Sequence, residues 1–99
     1  MATVSGVSLA ALPPEARATH ELIVRGGPFP YPKDAAVFGN RERLLPQRQR
    51  GYYLEYTVPT PGAHDRGARR MVCGGQPRNR PATCFYSNDH YASFRPIQP

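Results

Sequence analysis

Residues 12–27 read Leu-Pro-Pro-Glu-Ala-Arg-Ala-Thr-His-Glu-Leu-Ile-Val-Arg-Gly-Gly, and they decide the fold class. Pro13 and Pro14 stand where a first helical turn tolerates a missing N–H, and Glu15 lies near the positive end of the helix dipole. Gly26-Gly27 stops the helix before Pro28. Between these signals Leu12, Ala16, Thr19 and Ile23, with Leu22 alongside, form an imperfect apolar stripe at helical spacing. About a dozen residues do not hold as an isolated helix in water, so the stripe needs a sheet to pack on.

The rest of the chain supplies one. Runs rich in Tyr, Val, Thr and Phe predict strands at about 52–58, 68–73, 83–87 and 91–95, with a further short strand at 4–9. Gly27-Pro28-Phe29-Pro30-Tyr31-Pro32 excludes helix and central strand, so 27–37 reads as loop. Pro59-Thr60-Pro61-Gly62 and Gly74-Gly75-Gln76-Pro77 mark turn-rich connections. One helix followed by an antiparallel meander is an α+β domain. The 99 residues are expected to form a single domain over 1–99.

Charge narrows the partner. Thirteen Lys+Arg face seven Asp+Glu, a formal net charge of +6, and all but one of the basic residues are arginine. Guanidinium forks match phosphate oxygens bidentately, so the balance favours a polyanion. No run approaches the ~20 apolar residues of a membrane span. Residues 1–12 are apolar and small but lack the basic segment of a complete signal peptide. His20, His64 and His90 are too scattered for a metal site. His20 reads as a packing position on the helix and His64 as an exposed turn residue.

Chemistry concentrates in three short pieces carrying Glu55, Arg66 with Arg70, and His90. They offer one carboxylate, two guanidinium groups and one imidazole. Side chains alternate along a strand, so Glu55 points away from Leu54 and Tyr56, and Arg70 points away from Met71. If these strands pair, Glu55 and Arg70 share a face. Arg69 then projects to the other side as a solvated charge.

Several motifs occur in order: Ala11-Leu12-Pro13-Pro14-Glu15-Ala16, Gly27-Pro28-Phe29-Pro30-Tyr31, Phe38 with Asn40-Arg41-Glu42, Gly51-Tyr52-Tyr53, Glu55-Tyr56-Thr57-Val58, Thr60-Pro61-Gly62, Arg66-Gly67-Ala68-Arg69-Arg70 and Asp89-His90-Tyr91-Ala92. Over about residues 5–95 the chain resembles the guanyl-specific microbial ribonucleases, the barnase-like family, and in particular its secreted streptomycete members. The resemblance implies one N-terminal helix packed on a twisted antiparallel β-sheet. It implies an endoribonuclease that cuts single-stranded RNA on the 3′ side of guanosine, without metal or cofactor, through a 2′,3′-cyclic phosphate. Glu55 is then the base, His90 the acid, and Arg66 and Arg70 the phosphate clamps. Phe38, Gly39, Asn40, Arg41 and Glu42 form the guanine site: Phe38 stacks on the base and the Glu42 carboxylate accepts its N1–H and 2-amino protons. Tyr91 is expected to donate to a phosphate oxygen or to pack in the core.

The resemblance also implies extracellular action as a monomer, with a leader outside this chain. An alternative with the same chemistry is a toxin module of a polymorphic toxin, held by an acidic barstar-like inhibitor or immunity protein. A catalytically dead RNA-binding module is the alternative of a different class. Departures from the streptomycete pattern stand out. Ser8 replaces an expected cysteine, while Cys73 and Cys84 flank a lengthened 74–83 connection and are expected to bridge neighbouring strands. Gly39 replaces a larger residue. Leu54 replaces a histidine, which is expected to alter the surroundings of Glu55.

Overall fold

A short strand and a 3-10 turn lead into a helix that has no side-chain cap. The computed structural model describes residues 6–98. Strand β1 (Val7–Ser8) leads through a 3-10 turn (Leu9–Ala11) into helix α1 (Pro14–Arg25). Pro13 and Pro14 open the helix, where their missing N–H groups cost nothing. It ends on Gly26 at φ 82°, whose N–H returns to the Ile23 carbonyl. That left-handed position suits glycine because a Cβ would crowd the backbone there. Leu12, Ala16, Thr19 and Ile23 are all buried, as the stripe predicts. The Thr19 hydroxyl donates to the Glu15 and Thr57 carbonyls, tying the helix to the sheet.

The strands that follow are β2 (Ala36–Val37), β3 (Tyr53–Thr57), β4 (Arg70–Gly74), β5 (Thr83–Ser87) and β6 (Arg95–Gln98). They form one sheet in the order β1-β6-β5-β4-β3-β2. All pairings are antiparallel except the outer β1–β6 pair, which is parallel. Residues 4 and 5 of the strand expected at 4–9 lie outside the described residues. Among the described residues no helix is long and apolar enough to cross a membrane.

Two corrections follow from turn chemistry. The strand expected at 91–95 begins only at Arg95. Asp89 accepts from Ser87 Oγ, Ser93 N and Ser93 Oγ, which bends the aromatic-rich run into a turn. The 27–37 segment is not all loop, since Ala36–Val37 pairs with Leu54 and Glu55. A two-residue edge strand in a Pro/Gly-rich stretch has no periodicity to read.

The sheet separates two clusters. Towards α1 lie Leu12, Ala16, Ile23, Tyr56, Val58, Met71, Cys73, Cys84 and Tyr86. On the other face Leu45, Tyr53, Val72 and Phe85 pack with Phe38, Tyr52, Tyr91 and Phe94. Each fully buried aliphatic or aromatic side chain contributes roughly 1.5–3 kcal/mol. Cys73 and Cys84 are directly opposed on β4 and β5 and form a disulfide on the helix side. Leu54 packs against that same helix-side cluster. Its side chain therefore faces away from Glu55, as strand alternation predicts.

Candidate active site

The register of β3 and β4 places the charged groups. Glu55 is opposite Val72 and Thr57 is opposite Arg70. Glu55, Thr57 and Arg70 therefore project from the face away from α1, as strand alternation predicts. Arg69 projects to the other side, but it is not simply solvated: its Nη1 lies 3.6 Å from Glu15 Oε1 at the start of α1. That partner is distant in sequence and no local pattern shows it.

Glu55 is held from two directions. The Tyr91 hydroxyl donates to Glu55 Oε1 at 2.9 Å, and Arg66 Nη2 lies 3.6 Å from the same oxygen. Arg66 is itself oriented by Thr57, whose Oγ1 accepts from Arg66 Nε and Nη2 at 3.0 and 2.8 Å. Arg70 is only 3% exposed. Its Nη1 donates to the Arg69 carbonyl at 2.8 Å, its guanidinium lies 5.9 Å from the Tyr91 ring centre, and its buried Nε has no hydrogen-bond partner. No carboxylate pairs with Arg70 among the described residues. A buried cation with an unsatisfied donor is costly, and an anion at this point would relieve both penalties.

His90 and Tyr91 sit on the turn between β5 and β6 in left-handed backbone conformations, φ 55° and 73°. Non-glycine residues occupy this region at a cost, so something must hold them there. The holders are Ser87 Oγ, which accepts from Tyr91 N at 2.9 Å, and the Ala68 carbonyl, which accepts from His90 N at 2.9 Å. The Ser93 hydroxyl and N–H, with help from Ser87, keep the Asp89 carboxyl below the usual carboxylate range. Imidazole and phenol rings lie 4.8 Å apart. Burial, reinforced by the Glu55 hydrogen bond and charge, pushes the Tyr91 phenol up to about 12. Tyr91 thus remains a neutral donor at all ordinary pH values.

Residues 38–42 form the opposite wall. A cavity of about 240 Å³ is lined by this loop together with Leu44, Glu55, Tyr91 and Phe94. Phe38 is fixed by ring contacts to Tyr91 and Phe94, at 5.0 and 5.6 Å, and its N–H donates to the Tyr53 carbonyl. Strand β2, which pairs with β3, leads into the loop. Asn40 has φ 52°, and its amide exchanges two hydrogen bonds with the Leu45 backbone. Its side chain thus closes the loop, and the anchor is the buried Leu45. Glu42 is exposed at the rim and also lines the wider groove towards His90 and Ala92. Gly39 and Arg41 line the same cavity.

All ten singled-out residues, from Phe38 to Tyr91, line or adjoin one cleft. Sequence reasoning missed Thr57, which aims Arg66; Phe94, which completes the cavity; and the Ser87–Asp89–Ser93 set. His20 is half-buried, and burial lowers its pKa, in keeping with a packing role. His64 is exposed.

A helix on one face of a sheet and an acid–base cleft with a buried arginine on the other define a small nuclease architecture. The ribonuclease family model matches residues 2–98, and the chain belongs to that family. It is 57% identical over 89 residues to guanyl-specific ribonuclease St of Saccharopolyspora erythraea, spanning 90% of this chain and 83% of that protein. It is 53% identical over 92 residues to guanyl-specific ribonuclease Sa of Kitasatospora aureofaciens, spanning 92% of each. Among solved structures, ribonuclease Sa2 in complexes with mononucleotides superposes with a TM-score of 0.91 at 44% identity, covering 100% of this chain and 98% of that one. Ribonuclease Sa2 with guanosine-2′-cyclophosphate gives 0.88 at 45% identity, covering 97% and 98%.

Proposed function

We propose that the protein cleaves single-stranded RNA on the 3′ side of guanosine, using Glu55 and His90 to move the protons. Glu55 takes the proton from the ribose 2′-OH, and that oxygen attacks the adjacent phosphorus. The bond to the 5′-oxygen of the next nucleotide breaks, and His90 protonates the departing oxygen. The product is a 2′,3′-cyclic phosphate, which water opens to a 3′-phosphate with the two roles reversed. Each proton transfer is worth on the order of 10²–10⁴-fold. The route requires no metal, and intact DNA lacks its nucleophile.

The observation that carries this reading is Arg70, buried, unpaired with any carboxylate among the described residues and bearing a bare Nε, on the same face as Glu55. A phosphorane carrying extra negative charge would satisfy it, and preorganised donors of this kind stabilise transition states strongly. Arg66 completes the clamp. Guanine enters the 240 Å³ cavity against Phe38, with Glu42 accepting its two adjacent N–H groups. Adenine would leave Glu42 unpaired. The relatives named guanyl-specific support the same base.

The disulfide suits an oxidising compartment, so we place the enzyme outside the cell, acting as a monomer. The net charge of +6 also suits an acidic protein inhibitor that mimics RNA phosphates. The test of the main reading is digestion of a defined RNA with mapping of every cut. Cuts after G bearing cyclic phosphate ends are expected. Cuts without base preference, or 5′-phosphate ends, would refute it.

A further inference from the structure

A second arginine pair lies on the cleft side of the sheet, at the end of β3 away from Arg66 and Arg70. Arg48 and Arg50 belong to the connection that enters β3, and both are exposed. With Tyr53 they form one side of a cavity of about 140 Å³, whose other side is Phe38, Gly39 and Asn40. Those three residues also line the proposed guanine cavity, so the base-reading loop is a wall shared by both. The Arg48 guanidinium lies over Tyr52, 4.9 Å from the ring centre, which orients it without using its N–H groups on a carboxylate. Neither arginine joins an ion pair among the described residues.

Gly39 keeps the shared wall low. Its backbone is not in the left-handed region, so the chain direction does not demand glycine there. A Cβ at this position would meet nothing closer than Arg41 Cγ at 3.7 Å, so room for a side chain exists and is unused. Tyr53, Glu55 and Thr57 project from one face of β3, and four residues of strand span roughly 13 Å at ~3.3 Å each. The face thus presents, in order, an arginine clamp beside Thr57, the carboxylate Glu55 next to the base cavity, and a second arginine pair beside Tyr53. A guanosine seated with its 3′-phosphate at the first clamp has its 5′ side free to continue towards the second.

We infer that Arg48 and Arg50 form a subsite for the phosphate on the 5′ side of the recognised guanosine, reached across Gly39. The inference rests on the guanosine-cleaving reading above. It makes the enzyme favour internal guanosines over those at a 5′ end. The two arginines grip a phosphate that takes no part in bond breaking, so they act through substrate binding and positioning.

The test compares cleavage of GpU, pGpU and UpGpU by the wild type and by the doubly substituted R48A/R50A protein at one ionic strength. Both arginines are exposed, and neither belongs to the machinery assigned above. For the wild type, kcat/KM should be about ten-fold higher for pGpU and UpGpU than for GpU, the order expected of a charge-assisted phosphate contact. In the double variant this gain should vanish while GpU cleavage is unchanged. Equal wild-type rates on all three substrates would overturn the subsite. So would a gain that survives substitution, or a loss that falls equally on GpU and UpGpU, since the latter marks a general field. Failure of the wild type to prefer GpU over ApU is a separate outcome, and it removes the guanosine reading itself.

Discussion

Tyr91 donates its hydroxyl proton to Glu55 Oε1 at 2.9 Å, across 36 residues of sequence. The bond joins the turn after β5 to the centre of β3, so the proposed base is positioned by the residue next to the proposed acid. Replacing Tyr91 by Phe keeps the ring contacts with Phe38 and Phe94 but removes the donor. A hydrogen bond to a charged group contributes about 1.5–3 kcal/mol, so kcat/KM on GpU should fall roughly 10- to 100-fold. The sign of the pH effect follows from the raised phenol. Tyr91 contributes stability that is complete below the ordinary tyrosine value of 10 and is lost as pH rises towards about 12. Thermal unfolding of wild type and Y91F should therefore converge above pH 10. Parallel melting curves through that range would contradict the assigned bond.

Glu55→Gln and His90→Gln each delete one of the two proposed proton transfers. Each should lower kcat on guanylyl-3′,5′-nucleotides by about 10²–10⁴-fold while guanosine monophosphate still binds. Near wild-type turnover in either variant would remove that residue from its role.

Asp89 tests the turn. Its carboxyl is lowered chiefly by the Ser93 hydroxyl and N–H. Its contribution to stability is present above the ordinary carboxylate value of 3.8 and is lost as pH falls through the lowered native value. In Asp89→Ala the Ser87 hydroxyl, one of the two holders of the left-handed His90–Tyr91 backbone, loses the carboxylate that orients it. We expect kcat to fall about ten-fold or more with little change in KM, since misplacement penalises the reaction more than binding. Asp89→Asn retains an acceptor and should recover part of the rate. A change confined to KM would show that the turn serves binding instead.

Glu42→Ala should collapse base discrimination rather than folding, because Glu42 is exposed at the cavity rim. The preference for GpU over ApU should drop by about 100-fold or more, the scale of a lost paired hydrogen-bond contact. An unchanged ratio would sink the recognition scheme, whereas a fall in melting temperature alone would mean that Glu42 is structural.

The disulfide closes a separation of 11 residues. Its removal by C73A/C84A should cost about 3 kcal/mol in the loop-entropy account. Denaturant unfolding measures this. The bridge is on the helix side, so activity at temperatures well below the melting point should be unaffected, and lost activity in a folded variant would show coupling across the sheet.

What could be read from the sequence followed the strength of its periodicities. The helix was legible because Pro14, Gly26 and the Ala16–Thr19–Ile23 stripe agree. The shared face of Glu55 and Arg70 was legible because strand alternation is strict. Strand β2 was not, since two residues have no period and gain their identity from pairing with β3. The 91–95 run carries aromatic residues typical of strands, but Asp89 and Ser87 capture its backbone first. Arg69 found a partner on the helix, a contact between elements that no local pattern encodes. Leu54 neighbours Glu55 in the chain, and strand alternation, legible in the sequence, sends the two in opposite directions.

The alternation along β3 has a consequence for quality control. Sliding that strand by one position would move Tyr56 to the cleft face and turn the Glu55 carboxylate towards the helix-side cluster that holds Ile23 and Met71. No mispaired form could retain both a dry interior and a working centre. Catalytic activity per milligram therefore reports, without any spectroscopic probe, the fraction of molecules whose strands are aligned correctly.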